Sequence, residues 1–376
     1  MGIRIPVAML LPLLSTTSLA GSIQVDEETP IAEFGADFHF RYLANFNADQ
    51  TGSDDDSAIG FTNARTRLKA SGTIPGTDVE FDLVGQFRDG DFRFELVDAA
   101  FTKDFTDNFR LRIGQFRYGF SREFQVSRTR QLAIERSVVH SVFRFDRTQG
   151  VEGRFRGERD QLFVGITDGR RAVNSDFTSS READIAVNTR YERRMGDAGW
   201  GAYRDLTSYR GADTGALFGA GLYYQQDGRL SDAGLSGTVD AIGYTADVSF
   251  EGDGWNAVGA FHGQRLDDGD MSFDDFGVLV QGGAFVDDNT ELFGRYGHIF
   301  PDGNRLSGDD FALVSAGINY YVVPESQALK LTAEVLYYPD DQAASSSLVG
   351  PSSSTGLVED SDGGQLALML QIQFVF

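Results

Sequence analysis

From Glu33 to Tyr42 the chain alternates, with Phe34, Ala36, Phe38, Phe40 and Tyr42 on one parity and Gly35, Asp37, His39 and Arg41 on the other. Side chains two residues apart share one face of a β-strand, so the segment predicts a strand that is greasy on one side and polar on the other. The pattern returns in Phe61–Ala70, Val79–Phe87, Phe92–Phe101, Phe109–Gly114, Val151–Phe155, Leu162–Ile166, Ala183–Tyr191 and Ala216–Tyr224. It continues through Val239–Phe250, Trp255–Gln264, Phe276–Val286, Glu291–Phe300, Phe311–Val322 and Leu329–Tyr338, and closes with Leu366, Leu368, Leu370, Ile372, Phe374 and Phe376 on one face. Sixteen strands are predicted, and long stripes of helical period are absent.

The connections carry a second pattern. Long ones, such as Ala48–Ser57, Arg117–Thr148, Gly169–Glu182 and Pro339–Asp362, follow odd-numbered strands, and short ones, such as Thr73–Gly76, Gly157–Asp160 and Asp287–Thr290, follow even-numbered strands. Two connections break the parity: the tight Asp89–Gly90 turn on the long side and the stretch Met195–Asp213 on the short side. In a soluble sandwich the greasy face would pack on a second sheet. A membrane barrel instead turns it to lipid and joins its strands by short periplasmic turns and longer external loops. The expected fold is therefore all-β, a transmembrane antiparallel barrel of about 16 strands over residues 21–376, wide enough for an aqueous channel. Phe376, ending an amphipathic strand with Phe374 two residues before it, resembles the signal by which outer-membrane barrels are recognised for assembly.

Residues 1–20 read as a secretory signal, with Arg4, an apolar run from Val7 to Leu14, and small Ser18 and Ala20 near the cleavage point. Bacterial outer membrane is the expected location. The chain holds 44 Gly, 31 Phe and 13 Tyr against 8 Pro, which suits strands that bend and carry aromatics. Without cysteine it has neither disulfides nor thiol chemistry. A net charge of -23 excludes nucleic acid as a partner, since a binder must neutralise phosphates. His39, His140, His262 and His298 are scattered and have no serine partner motif or metal-ligand spacing, so neither enzymatic activity nor a cofactor or metal is expected.

Charge distribution adds the chemistry. Up to Arg210 there are 28 Lys or Arg and 31 Asp or Glu, and beyond it 5 and 25. Eleven arginines but only four acids fall between Arg110 and Arg156. Arg65, Arg67 and Lys69 lie two apart opposite Leu68 and Ala70; Arg110 and Arg112 oppose Phe109, Leu111 and Ile113; Arg154 and Arg156 oppose Val151 and Phe155. A cation on the lipid face costs about 2–4 kcal/mol near the midplane, so these rows are expected in the lumen, where they would draw in anions. Guanidinium forks suit phosphate and carboxylate oxygens. Parity makes Arg117–Thr148 the third external loop, with Arg117, Arg122, Arg128, Arg130, Arg136, Arg144 and Arg147 among Phe120, Phe124, Val138, Val139, Phe143 and Phe145. Such a loop is expected to fold inward and constrict the pore. The other role open to these arginines is to pair with lumen acids such as Glu123, Glu135 and Glu152 and stiffen the wall.

Around these residues the chain resembles the phosphate-selective porin O/P family, through Arg112-Ile-Gly-Gln-Phe116, then Glu135-Arg136-Ser137, then Arg147 with Gly150-Val151. The resemblance implies a homotrimeric outer-membrane channel that passes phosphate or other small anions through a basic lumen, in contact with lipid and lipopolysaccharide. Arg117-Tyr118 stands where Lys-Pro is expected, and the constriction lysines are largely missing. Two alternatives follow from the residues: a general or cation-preferring porin, from the acidic excess, and a structural or adhesive barrel presenting loops such as Pro339–Asp362. The acidic runs Asp54–Asp56 and Asp267–Asp268 could hold divalent cations between lipopolysaccharides or simply stay hydrated.

Overall fold

The computed structural model describes residues 21–24, 30–46, 57–87, 93–180, 182–228, 237–305, 310–340, 348–350, 355–357 and 363–376. The expected signal, the Asp54–Asp56 run, the Asp89–Gly90 turn and, within the Pro339–Asp362 loop, the serine runs Ser345–Ser347 and Ser352–Ser354 lie outside them. After a short strand β1 (Gly21–Gln24), sixteen strands follow in chain order. They are β2 (Pro30–Phe46), β3 (Ser57–Thr73), β4 (Val79–Phe87), β5 (Phe94–Thr106), β6 (Phe109–Arg117), β7 (Arg147–Arg156), β8 (Asp160–Thr167) and β9 (Ile185–Gly196). The second half comprises β10 (Gly215–Gln226), β11 (Asp240–Gly252), β12 (Trp255–Asp267), β13 (Ser272–Phe285), β14 (Thr290–Phe300), β15 (Phe311–Tyr321), β16 (Leu329–Tyr338) and β17 (Gln365–Val375).

Each of these sixteen strands pairs antiparallel with the next, and β17 pairs back onto β2, from Leu366 opposite Phe46 to Val375 opposite Asp37. Closure leaves no sheet edge, which is what lets a sheet cross hydrocarbon. Strand β1 pairs with β2 from Phe34 to Pro30, beyond the point where β17 ends. The period-two rows become two surfaces. Outside, Phe61, Leu68, Ile113, Ile166, Val280 and Leu370 are exposed, while Asp37, His39, Arg41 and Asn45 on the opposite parity of β2 are buried.

Bulges account for the places where the alternation falters. Ala64 has no partner between the pairs Phe40 with Asn63 and His39 with Arg65, so parity switches there and turns Arg65, Arg67 and Lys69 to the inner face. A second bulge at Val97 does the same for Asp98 on β5. One extra residue re-aims every side chain beyond it.

Candidate functional site

The inner face is uneven. On β14 to β16 its side chains are buried, including Glu291, Arg295, Asn319, Lys330 and Glu334, whereas Arg67, Asp82, Gln86, Arg110, Arg112, Arg154 and Arg156 on β3 to β7 are only half-buried. The difference comes from the segment between β6 and β7. It carries the helical turn α1 (Arg122–Gln125), a 3-10 turn at Arg128–Arg130 and the short helix α2 (Val138–Phe143). Ser137 caps α2 by accepting the His140 N–H at 3.0 Å, and Glu123 accepts the Ser137 backbone and hydroxyl at 2.6 and 2.7 Å. Ile134, Val138, Val139, Val142 and Phe143 pack on Ile299, Leu313, Leu336 and Met369, and Tyr118, Phe120 and Phe145 pack with Tyr223 and Leu266. A Cβ at Gly277 would sit 2.5 Å from the Phe143 ring, so α2 comes closer to β13 there than any side chain permits.

Polar contacts tie the same segment to the wall. Glu334 accepts the Ile134 N–H at 3.0 Å, Arg295 donates to the Glu135 carbonyl at 2.7 Å, Lys330 donates to the Gln131 carbonyl at 2.9 Å, and Asn319 donates to the Leu132 carbonyl at 2.9 Å. Glu135 itself receives Arg41 at 2.9 Å, Arg65 at 3.3 Å and also Arg128. Burial alone would push its carboxyl up, but Arg128, Arg65 and Arg41 outweigh that and hold it well below the usual carboxylate range.

The predicted arginines separate into three groups. Most are paired with carboxylates: Arg65 and Arg128 with Glu135, Arg110 with Asp104, Arg112 with Asp82 at 3.2 Å, Arg130 with Asp205 at 2.9 Å, Arg144 with Asp146 at 3.1 Å, and Arg147 with Asp98 at 2.8 Å. Lys69 is likewise neutralised by Asp37. Arg122 and Arg136 are buried inside the segment: Arg122 bonds Ser249 and the Asp205 carbonyl, and Arg136 lies over the Phe124 ring and bonds the carbonyls of Glu123 and Val126. The third group meets neutral oxygens at most. Arg67 donates to Gln86 at 2.8 Å, Arg117 to the Phe124 carbonyl at 3.2 Å and Arg156 to Gln161 at 3.1 Å, while Arg154 has no partner among the described residues. Of the acids weighed as wall stiffeners, Glu135 pairs with arginines, whereas Glu123 serves the α2 cap and Glu152 accepts the Gly119 N–H at 2.7 Å.

The third group forms a series. Arg67 stands beside Arg147 and Arg128, Arg117 beside Arg147 and Arg112, Arg154 beside Arg156 and Arg110, and Arg156 beside Arg204. Arg117, from the long-loop end of β6, and Arg154, Arg156 and Arg204, from the short-turn end, line one cavity of about 320 Å³ together with Trp200, Tyr203 and the acids Glu80, Asp82, Glu152 and Glu192. Arg204 is not among the strand-face arginines that alternation singles out. Its signal was the parity break at Met195–Asp213, the connection that is too long for its side of the barrel.

The profile of a family described as phosphate-selective porin O and P matches residues 34–226. No curated protein sequence matches the chain. Among solved structures, an anion-selective porin from Comamonas acidovorans superposes with a TM-score of 0.63 at 11% identity, over 92% of this chain and 99% of that one. In vitro folded OmpT of Vibrio cholerae, in its trimer form, gives 0.59 at 12% identity over 92% and 99%. The outer-membrane channel DcaP of Acinetobacter baumannii gives 0.57 at 15% over 92% and 97%.

Proposed function

Since the chain belongs to the phosphate-selective porin O and P family and is a closed outer-membrane barrel, we propose that it gives small anions, phosphate among them, a passive route along an arginine-lined lumen. The observation that carries this reading is the set Arg67, Arg117, Arg154 and Arg156, inner-face guanidiniums that no carboxylate pairs among the described residues, in a chain of net charge -23. A charge left unpaired beside open space can exchange its hydration for an anion's oxygens and hand the ion to the next site. The segment 118–146 acts as an inward-folded constriction: its contacts with β11 to β17 support a position that leaves the conducting space along β3 to β8. The outer apolar band meets lipid and lipopolysaccharide. Assembly as a homotrimer is supported by the trimer form of the similar Vibrio cholerae protein.

Reversal potentials in a salt gradient across planar bilayers test the reading. Chloride is expected to permeate better than potassium, added phosphate to reduce the chloride current, and the double variant Arg117→Ala, Arg154→Ala to lower the anion preference by roughly threefold or more. Cation preference in the unmodified protein would replace this reading with that of a cation-preferring porin, and the absence of any channel would favour a structural barrel.

A further inference from the structure

The connection between β9 and β10 is the longest described on the short-turn side, and it does not hang into solvent. Its indole Trp200 donates to the Glu158 carbonyl at 3.2 Å, on the β7–β8 turn. Farther along, Asp205 pairs with Arg130 at 2.9 Å, and the Leu206 N–H donates to the Arg130 carbonyl at 3.1 Å. The hydroxyl of Thr207 then meets Tyr321 at 3.0 Å on β15, and Ser208 donates to the Gly252 carbonyl at 2.6 Å at the end of β11. The chain therefore crosses the mouth from one wall to the other and touches the constriction from below. Leu206, Thr207 and Ser208 are buried, whereas Arg204 is exposed in the cavity, beside Arg156 and without a carboxylate partner among the described residues.

From this crossing we infer that residues 197–213 form a second, periplasmic constriction, and that Arg204 is its anion station, the last guanidinium met by a small oxyanion such as inorganic phosphate before it leaves the pore. The inference rests on the anion-channel reading and adds a site that strand alternation does not reach. The strap fills the mouth on the β11 to β15 side, so the exit is confined to the side where Arg154, Arg156 and Arg204 converge. Trp200 lies against Arg156, with the guanidinium 5.5 Å from the ring centroid, and both line the cavity that Arg204 enters.

The test uses the full chain in planar bilayers, with chloride and potassium in a gradient and inorganic phosphate as the blocking ion. Arg204→Glu is expected to lower the chloride-to-potassium permeability ratio roughly threefold or more and to weaken phosphate block by a similar factor, more strongly when phosphate enters from the strap side. Arg204→Lys should restore most of both. Arg159→Glu makes the same charge change on the exposed β7–β8 turn, where among the described residues its guanidinium reaches only Glu158 at 3.9 Å, and should leave both quantities nearly unchanged. If Arg204→Glu changed nothing in a channel that remained anion-selective, or if Arg159→Glu matched it, the second constriction would be overturned and the anion-channel reading would stand. An unmodified channel that preferred cations would overturn both.

Discussion

Arg110 and Arg154 face each other directly across β6 and β7, a like-charge pair that would repel if nothing intervened. Asp104 takes up Arg110 with two hydrogen bonds, and Arg154 is left with no bonded carboxylate among the described residues, Asp104 and Glu152 acting on it only through space. At this scale function depends on which partner a guanidinium finds. Glu135 is the extreme case, one carboxylate shared by Arg41, Arg65 and Arg128. Glu135→Gln removes the charge that holds these three together, and breaking a buried pair costs about 3–5 kcal/mol, so the constriction should loosen. Open-channel current noise should rise in this variant at pH 7, and a quiet channel would refute the role. The pH dependence follows from the sign of the shift. Because the folded carboxyl is held low, its contribution is present above the ordinary value of about 4.3 and is lost only as pH falls through the lower folded value. Conductance and noise should stay level from pH 7 to about 4 and change only below; an earlier rise in noise, near pH 5, would show that the arginines do not hold Glu135 ionised.

Strand alternation sets which face each element shows, and in the proposed channel two connections set how much of the lumen stays open. Helix α2 reaches β13 at Gly277, where a side chain would strike Phe143 and Val139. Gly277→Leu should push α2 off the wall, and because packed interiors absorb extra volume poorly, single-channel conductance should shift by about a factor of two or more. Gly294→Leu, on the outer face of β14 with nothing closer than the Ser315 carbonyl at 3.8 Å, is the control and should conduct normally. Equal conductance in both variants would mean that α2 does not border the pore.

For the whole molecule, a net charge of -23 is compatible with the proposed anion path because screening makes selectivity local. The Debye length is about 10 Å at 0.1 M salt and about 3 Å at 1 M, so acids on the rim lose influence over the lumen well before neighbouring guanidiniums do. Anion preference should therefore persist as salt is raised across that range; reversal to cation preference at low salt would show that the rim acids dominate. The outer band should also support assembly, and in mild detergent the protein should run as a species three times the mass of the heated chain. A species of single-chain mass before heating would argue against the trimer.

Period-two alternation is written locally, so the sequence by itself determined the sixteen barrel strands, the lipid-facing rows and the inner-face positions of Arg65, Arg67, Arg110, Arg112, Arg154 and Arg156. Strand ends were less legible, as at β5, where Phe92–Phe101 was predicted and Phe94–Thr106 is observed, because a bulge at Val97 resets the parity. Only the tertiary structure decided which of those cations keep a free charge. Arg147 meets Asp98 from β5, Arg65 meets Glu135 from the constriction, and Arg130 meets Asp205 from the far mouth, all partners that chain closure brings together and that no local pattern can announce. Arg204 belongs to the same class: the sequence flagged its connection as too long, and the crossing of the barrel gave that length a place.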